Sequence, residues 1–396
     1  MGFVYKELKA FSPKEALRVD ESFRISGNVP QAEDTLAELE SDAHDPQKAP
    51  GTSFLNYRTK AHITSGIVGY EKGDSRYILS ANHKGEILLL TANDETSTLA
   101  WAVNVPGAIY RTPVVIGDFV FFVTKQGLIA AIKIKFDEKG NLLPGEIVWQ
   151  RNIGLTVFSR LLTTGRILIV ATISGIHAYD CYVGGDSSNQ NFGKKVWEHK
   201  MEGLVSSPAI DGGTIFIGSE DKHLHALRYG GEGASKFWSV KTDGPIRCKP
   251  YVSQKGNFVL TGSLDGFVYC IDRVSGKTVW TYPARSAVHS DITSFVIGND
   301  EFFLFGSDDG TFHCLNLYGK QQWSFKTNGR IRSEALVQGD HVFFGSEDNF
   351  LYGLKNMTGV LHLKYNTDGN INGKPVIVDN RLYVGSTDSF IHGIYI

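Results

Sequence analysis

The sequence predicts an all-β fold, an eight-bladed β-propeller that is closed by an N-terminal strand. The first observation behind this prediction is a pattern of about 40 residues that recurs from residue 54 to residue 396. The second is a tryptophan that closes most copies of the pattern. These tryptophans are Trp101, Trp149, Trp197, Trp238, Trp280 and Trp323. A period of about 40–48 residues with three or four short β runs is typical of a propeller blade.

Each copy of the pattern contains the same elements in the same order. A short β run ends in Gly-Ser, a turn with an acidic residue or Gly follows, and a second β run, another turn and a Trp strand complete the unit. The clearest copies are residues 260–280, 304–323 and 343–363. Aligned on the strand that precedes Gly-Ser, the eight units begin near Ile63, Ile109, Val157, Leu204, Ile246, Val288, Ile331 and Ile371. Residues 54–396 are therefore predicted to form one closed domain.

The last unit predicts how the ring closes. It ends at Ile396 without a Trp strand of its own. Residues 55–63 match residues 323–331 position for position, with Leu55 in the place of Trp323. The missing outer strand is therefore expected to come from the N-terminal side. A blade built from both chain ends leaves no open sheet edge, so the repeat array needs no polar cap.

Residues 1–53 are predicted to be an N-terminal extension of a different character. Ser12 as N-cap and Glu15 as its capping-box partner predict a short helix that ends near Val19. No Lys or Arg occurs from residue 25 to residue 47, where six acidic residues accumulate. These are Glu33, Asp34, Glu38, Glu40, Asp42 and Asp45. Such a segment is either a mobile, solvated tail or an acidic clamp that lies along the propeller or engages a partner.

Composition argues against several classes of protein. The formal net charge of −2 predicts neither nucleic acid nor an anionic membrane as partner. No apolar run approaches the roughly 20 residues of a membrane span, and the first residues lack the apolar core of a secretory signal. Cys270 and Cys314 fall on separate sheets, about 10 Å or more apart, which exceeds disulfide reach. The cysteines are expected to be buried free thiols, and these features together predict a cytoplasmic protein.

The repeat carries a family resemblance. The unit in blade 5 contains Gly-Ser-Leu-Asp-Gly at 262–266, Ser-Gly-Lys at 275–277 and Trp280. This pattern resembles the repeat of pyrroloquinoline-quinone-type propellers. The first three units depart from it, with other residues at 81–85, 123–127 and 171–175. That family includes quinone-dependent dehydrogenases, a lipoprotein scaffold of outer-membrane protein assembly and propeller domains appended to cytosolic enzymes. The resemblance therefore implies the fold and leaves the activity open.

Most signature residues are predicted to be structural. Each Trp suits the wedge between neighbouring blades, with its N–H tied to a turn. An aspartate recurs at one turn position, where its carboxylate can accept backbone N–H bonds within the hairpin. These residues are Asp221, Asp265, Asp309, Asp348 and Asp388. Five such turns spaced around a rim cannot converge on one calcium ion.

Motifs for catalysis or cofactors are absent from the sequence. The chain has no adjacent cysteine pair, which quinone-dependent dehydrogenases of the resembling family carry, and no motif for covalent haem, a phosphate loop, a zinc protease or a serine nucleophile. His223 and His225 share one strand face and either bind a metal or are exposed strand histidines; a third ligand is not evident. We therefore predict no catalytic residue, no cofactor and no metal site.

The mouth of the central channel is the predicted binding site. The innermost strands begin with two rings of residues that should line one rim. One ring is Gly66, Thr112, Arg160, Ser207, Lys249, Asp291, Glu334 and Lys374, and the other is Thr64, Tyr110, Phe158, Val205, Arg247, His289, Arg332 and Asn372. The candidate binding residues are Arg247, Lys249, His289, Asp291, Arg332, Glu334, Lys374, Tyr110 and Phe158. They form either a mixed-charge funnel for a peptide or small anion, or charges that pair across the pore and hold water.

Two functions follow from this interpretation. The first is a non-catalytic cytoplasmic scaffold that binds a protein or peptide. The alternative is a ligand sensor or enzyme that uses the funnel, and the resemblance implies a quinone-linked oxidoreductase as its form. The missing catalytic motifs favour the first, with Arg247 and Arg332 flanking His289 as donors for one carboxylate or phosphate.

Overall fold

The computed structural model describes residues 50–92, 97–181, 192–201, 203, 206–230 and 233–396. All named secondary-structure elements among these residues are β-strands, and they form eight antiparallel four-stranded sheets. These sheets are the blades of a β-propeller, which confirms the predicted fold. Within the described ranges no helix has the length and apolar character that crossing a membrane requires. The predicted helix at 12–19 and the acidic segment lie outside the described residues.

The first four blades each run from an innermost to an outermost strand. Blade 1 contains β2 (Val68–Lys72), β3 (Ser75–Ala81), β4 (Glu86–Thr91) and β5 (Leu99–Asn104). Blade 2 contains β6 (Val114–Ile116), β7 (Phe119–Val123), β8 (Leu128–Lys133) and β9 (Glu146–Asn152). Blade 3 contains β10 (Leu162–Thr164), β11 (Ile167–Thr172), β12 (Gly175–Asp180) and β13 (Lys195–Lys200). Blade 4 contains β14 (Ala209–Asp211), β15 (Thr214–Gly218), β16 (His223–Gly230) and β17 (Gly233–Lys241).

The remaining blades follow the same order, with one exception at the end. Blade 5 contains β18 (Tyr251–Val252), β19 (Phe258–Gly262), β20 (Phe267–Asp272) and β21 (Thr278–Pro283). Blade 6 contains β22 (Thr293–Ile297), β23 (Asp300–Gly306), β24 (Thr311–Asn316) and β25 (Gln321–Lys326). Blade 7 contains β26 (Leu336–Gln338), β27 (His341–Gly345), β28 (Phe350–Lys355) and β29 (Leu361–Asn366). Blade 8 contains β30 (Val376–Val378), β31 (Arg381–Gly385), β32 (Phe390–Tyr395) and, outermost, β1 (Ser53–Arg58).

The two chain ends close the ring in blade 8. β1 pairs antiparallel with β32, and Leu55 lies opposite Gly393. In blade 6, Trp323 lies opposite Cys314 at the same point of the sheet. In both blades a register shift precedes this residue on the outer strand, so Leu55 occupies the Trp place. The predicted closure by a strand from the N-terminal side is confirmed.

The middle strands of the blades face apolar neighbours on both sides. In β7, Val120 and Phe122 pack in a core shared with blade 1, whereas Phe121 and Val123 pack in a core shared with blade 3. All four side chains are buried. Because successive strand residues point to opposite faces, burial on both faces requires an uninterrupted apolar run. This is why the blade strands lack the polar alternation of a half-exposed sheet.

Three tryptophans join successive blades through their N–H groups, as predicted, whereas Nε1 of Trp101 is buried without a hydrogen-bond partner among the described residues. An indole N–H donates to a backbone carbonyl in the turn before the outer strand of the next blade. These bonds run from Trp238 to Arg273 at 3.1 Å, from Trp280 to Leu317 at 3.1 Å and from Trp323 to Asn356 at 2.9 Å. A glycine in the same turn lets the ring approach the backbone, since a Cβ added at Gly319 would lie 2.7 Å from a ring carbon of Trp280. Trp238, Trp280 and Trp323 therefore each need the glycine of the next blade.

The recurrent aspartates hold the hairpin between the second and third strands of a blade. In blade 5, one carboxylate oxygen of Asp265 accepts the backbone N–H of Phe267 at 2.9 Å, and the other accepts the hydroxyl of Tyr269 at 2.8 Å. In blade 8, Asp388 bonds the N–H of Phe390 and the ring of His392 in the same way. The predicted turn role of these aspartates is confirmed.

Ring closure can be tested by truncation. Deleting residues 1–60 removes β1 and exposes β32 as a sheet edge, so we expect a lower melting temperature and aggregation. Deleting residues 1–49 keeps β1 and should leave a monomer that melts like the full chain. Size-exclusion chromatography with light scattering and thermal unfolding measure both effects. If the shorter of these two proteins melts like the full chain, β1 does not close the ring.

The contact between blades can be tested with two glycines of blade 6 that both have positive φ. Gly298 (φ +60°) has no atom within 4 Å of an added Cβ, whereas Gly319 (φ +76°) lies against Trp280. Gly298→Ala should therefore cost only the left-handed backbone penalty of about 1–2 kcal/mol. Gly319→Ala should cost about 1–3 kcal/mol more, because the indole must move. Urea unfolding compares the two free energies, and equal losses would show that the Trp–Gly contact contributes nothing.

Candidate functional site

A cavity of about 590 Å³ opens at the mouth of the central channel, where the innermost strands begin. This volume falls within the range of small-ligand and peptide side-chain pockets. Six of the nine predicted binding residues line the cavity: Tyr110, Phe158, Arg247, His289, Asp291 and Arg332. The other three, Lys249, Glu334 and Lys374, are not part of its wall. The structure thus brings most of the predicted set together, and ligand binding by it remains a prediction.

Charges from distant blades pair across the channel. The guanidinium of Arg160 (blade 3) forms ion pairs with Glu334 (blade 7) and, at 3.4 Å, with Asp291 (blade 6). Lys374 (blade 8) reaches the same Glu334 carboxylate at 2.7 Å. Burial raises the pKa of the Glu334 carboxyl, but the positive charges of Arg160 and Lys374 outweigh it, and the net pKa lies below its usual range. These residues fit the second interpretation of the funnel, in which charges pair across the pore.

The arginines at the rim also have acidic partners. Nε of Arg247 donates to Glu220 at 2.6 Å. Arg332 binds Asp308 through two N–H groups at 2.9 and 2.7 Å and lies 3.6 Å from Glu347. All three acids occupy the variable position of the Gly-Ser-x-Asp turn, which the sequence analysis treated only as part of a turn. These ion pairs could have been predicted from the sequence, because the acid stands at this turn position in a blade that carries a rim arginine or is next to one.

His289 lies between the rim arginines, as predicted, but it does not add a positive charge there. Burial lowers the pKa of its imidazole, and the charges of Arg332 and Arg247 lower it further. Asp308, whose carboxylate is 3.6 Å away, opposes this shift only in part. His289 is therefore neutral at neutral pH and can act as a hydrogen-bond donor or acceptor.

Blades 2 and 3 contribute an aromatic sector, which we define as Tyr110, Arg111, Lys125 and Phe158. Nζ of Lys125 lies 5.5 Å from the ring centroid of Tyr110 and 5.8 Å from that of Phe158. Nε of Arg111 donates to the backbone carbonyl of Phe158 at 2.5 Å. The Phe158 side chain is 39% exposed, which is high for a phenylalanine. Two cations and two aromatic rings therefore share one side of the cavity.

Arg111 departs from the repeat. In five other blades a serine stands at its position: Ser65, Ser159, Ser206, Ser290 and Ser333. These serines are buried, and Ser333, for example, donates to the Gly345 carbonyl at 2.8 Å. A guanidinium is too large for that space, so the Arg111 side chain extends along the cavity wall. Burial and the charge of Arg160 lower the pKa of its guanidinium, and the charge of Asp291 opposes this shift in part. Arg111 is not among the predicted binding residues, although the alignment of the units shows an arginine at a position that is serine in five other blades.

The aromatic sector leaves the cavity with excess positive charge. Its wall contains five cations, Arg111, Lys125, Arg160, Arg247 and Arg332, and three carboxylates, Glu220, Asp291 and Glu347. Within the described part of the chain, no carboxylate lies within 4.0 Å of the charged groups of Arg111 or Lys125. The cavity wall therefore has more cationic than anionic side chains, although the whole chain has a formal net charge of −2.

The cysteines do not contribute to the cavity. Cys181, Cys248, Cys270 and Cys314 are free and buried in the blades, as predicted. Burial raises the pKa of the Cys181 thiol to about 11 and that of Cys248 to about 12, so both are protonated. No cysteine lines the cavity. The adjacent cysteine pair that the resemblance implies beside a quinone thus has no counterpart, and these residues do not fit that cofactor.

Comparisons with known proteins agree with the repeat pattern. The family model described as outer membrane protein assembly factor BamB matches residues 145–306 and 308–394. A search of curated proteins finds no match. Among solved structures, BamB from Moraxella catarrhalis is 19% identical, with a TM-score of 0.64 and coverage of 87% of this chain and 97% of that chain.

Two further solved structures share the fold. Chaetomium thermophilum Sqt1, bound to the N-terminus of ribosomal protein L10, is 12% identical with a TM-score of 0.70, and the match covers 87% of this chain and 99% of that chain. A europium-containing methanol dehydrogenase is 13% identical with a TM-score of 0.62, covering 84% and 85%. Identities this low show the fold alone. The family model, in contrast, matches well over half of the chain, and the chain therefore belongs to the PQQ-repeat propeller family whose model describes BamB.

Proposed function

We propose that this protein is a non-catalytic interaction module that binds an acidic segment of a partner protein at the mouth of its propeller. The observation that carries this proposal is the pair of cations in the aromatic sector, Arg111 and Lys125, which have no carboxylate partner among the described residues. A cytoplasmic location is part of the proposal, and the buried free thiols are compatible with a reducing compartment.

The aromatic sector can recognise a carboxylate and an apolar group together. Arg111 uses its Nε hydrogen on the Phe158 carbonyl, which leaves its two terminal nitrogens as donors at the cavity wall. Lys125 adds an ammonium group above the rings of Tyr110 and Phe158. A carboxylate held by both cations would place the adjoining apolar part of a peptide against the exposed Phe158 ring. The segment expected here therefore carries Asp or Glu next to an apolar residue.

The rim residues of blades 5 to 8 have a different role in this proposal. Arg247 and Arg332 already bind Glu220 and Asp308, which offset their charges, so a ligand anion gains less from them than from a cation without an acidic partner. The ion pairs of Glu334 with Arg160 and Lys374 join blades 3, 7 and 8 across the channel. We expect these residues to shape the mouth and the aromatic sector to supply most of the affinity.

The solved relatives support a role in protein recognition. Sqt1 is a propeller of the same fold that was solved with the N-terminus of a ribosomal protein bound. BamB is an outer membrane protein assembly factor. The Sqt1 structure thus provides an example in which a propeller of this fold binds a segment of another protein. The partner of this chain is identified here only by its chemistry.

A peptide selection tests the proposal. The immobilised full chain is used to select from a library of random peptides, and the affinity of enriched peptides is measured by fluorescence polarisation. We expect enriched peptides to combine Asp or Glu with an apolar neighbour and to bind more weakly as salt is raised. Arg111→Ser restores the residue of five other blades, so it should fold normally and lower affinity by about tenfold or more, because a hydrogen bond to a charged group contributes about 1.5–3 kcal/mol.

The control variant removes one positive charge at a position outside the cavity. Lys139 lies in the exposed turn before the outer strand of blade 2, and Lys139→Ser should leave peptide affinity unchanged. Enriched peptides without acidic residues, or equal binding to Arg111→Ser, would contradict the proposal. If no peptide is enriched and pyrroloquinoline quinone binds stoichiometrically by absorbance, the alternative of a small-ligand site is correct instead.

A further inference from the structure

Asp221, His223 and His225 form a group on blade 4 that does not line the cavity, and we propose that this group binds a divalent transition metal ion of the Zn²⁺ or Ni²⁺ type. The sequence places the two histidines on one strand face without a third ligand. The structure brings the Asp221 carboxylate to them, and one ligand atom from each residue lies within 4.8 Å of the other two.

The separations between these atoms suit a shared ion. Oδ2 of Asp221 lies 2.9 Å from Nε2 of His225, and Oδ1 of Asp221 lies 3.4 Å from Nδ1 of His223. Two atoms that each bind an ion at about 2.1 Å are about 3.0 Å apart at a right angle and about 3.4 Å apart in a tetrahedron. The two distances involve different oxygens of the carboxylate, and Nδ1 of His223 also lies 2.9 Å from the backbone carbonyl oxygen of Asp221. Rotation of the exposed His223 ring away from that carbonyl would bring a ring nitrogen to an ion held by Asp221 and His225.

The residue that distinguishes this group from the other blades is His223. The contact between the turn aspartate and a ring four residues later recurs, for example between Asp388 and His392 at 2.9 Å. That contact alone is the hydrogen bond of the hairpin. At the position of His223, however, blade 8 has Phe390 and blade 6 has Thr311, neither of which can donate a nitrogen to a metal. Blade 4 alone among the described hairpins of this type combines the aspartate with two imidazoles.

Exposure also differs between blade 4 and blade 8. The side chain of Asp221 is 43% exposed, compared with 11% for Asp388. His223 is 32% exposed, so water molecules can complete the coordination and an ion can enter from solvent.

The donor set indicates the class of ion and the strength of binding. Two imidazole nitrogens and one carboxylate suit Zn²⁺, Ni²⁺ or Cu²⁺, whereas Ca²⁺ and Mg²⁺ prefer oxygen ligands. Nδ1 of His225 is buried without a hydrogen-bond partner among the described residues. A hydrogen-bond partner for the second ring nitrogen of a metal-binding histidine typically contributes about 10–100-fold to metal affinity. We therefore expect moderate, reversible binding rather than a permanent structural ion.

Calorimetric titration of the full chain with Zn²⁺ alone, after removal of bound metal with a chelator, tests the proposal. His223→Phe installs the residue of blade 8, so the fold should be kept, and we expect the variant to bind one Zn²⁺ equivalent less or to bind it at least about tenfold more weakly. His199→Phe makes the same change at a histidine outside the group and should titrate like the wild type. Co²⁺ in place of Zn²⁺ should give a visible absorption spectrum that His223→Phe lacks.

Either of two results would overturn the metal site. The first is a titration of His223→Phe that equals the wild type in stoichiometry and affinity. The second concerns Asp221→Asn, which removes the carboxylate charge and serves as the test if His223→Phe fails to fold; unchanged Zn²⁺ binding by a folded Asp221→Asn would rule out the carboxylate as ligand. Peptide selection uses residues outside this group, so the two proposals fail independently.

Discussion

The pairing of β1 with β32 is the constraint on which the rest of the structure depends. Each blade buries both of its faces, one against each neighbour, so an open array would expose an apolar face at each end. Closure removes those faces: Ile63, Ile78 and Leu88 from the start of the propeller pack with Tyr383 and Ile391 from its end. The closed ring also fixes the radius of the channel, because the innermost strands meet on a circle that none can leave. The mouth is therefore a rigid frame for side chains from all eight blades.

A repeated fold makes its exceptions informative. The same backbone environment recurs in every blade, and most positions carry a residue that satisfies it, such as the serine that bonds the neighbouring strand or the aspartate that holds the hairpin. A residue that cannot make the recurrent bond leaves that structural role unfilled at its position. Arg111 at the serine position is such a residue. His223 keeps the recurrent backbone bond to Asp221 and differs from its counterparts in its side chain. Both residues place donor groups at the surface of the mouth or rim. The proposed peptide site and the proposed metal site both rest on departures of this kind.

Paired and unpaired charges divide the mouth into two sides. On the side of blades 4 to 7, Arg247 and Arg332 bind acids from neighbouring turns, and the cost of removing charge from water is offset within the protein. On the side of blades 2 and 3, Arg111 and Lys125 are offset by an aromatic surface and a backbone carbonyl, which leaves their charge available. In blade 4 one turn contributes to both the cavity and the proposed metal site. Glu220 binds Arg247 at the mouth, and the next residue, Asp221, belongs to the metal site.

The sequence by itself determined the propeller, the number of blades, the closure by Leu55 and its neighbours, the Trp and Asp contacts and the free thiols. All of these features depend on periodicity and on local geometry, and the same sequence pattern supports them in several blades. Alignment of the units also placed Tyr110, Phe158, Arg247, His289 and Arg332 at the mouth, because equal positions in a ring lie at equal height. Only the tertiary structure decided which charges pair, since Arg160 and Glu334 meet across the channel from positions 174 residues apart. No periodic pattern encodes that contact, because it depends on channel radius, blade order and side-chain reach. The same factors bring Asp221 to two histidines and leave Arg111 and Lys125 with no carboxylate of the described residues within 4.0 Å.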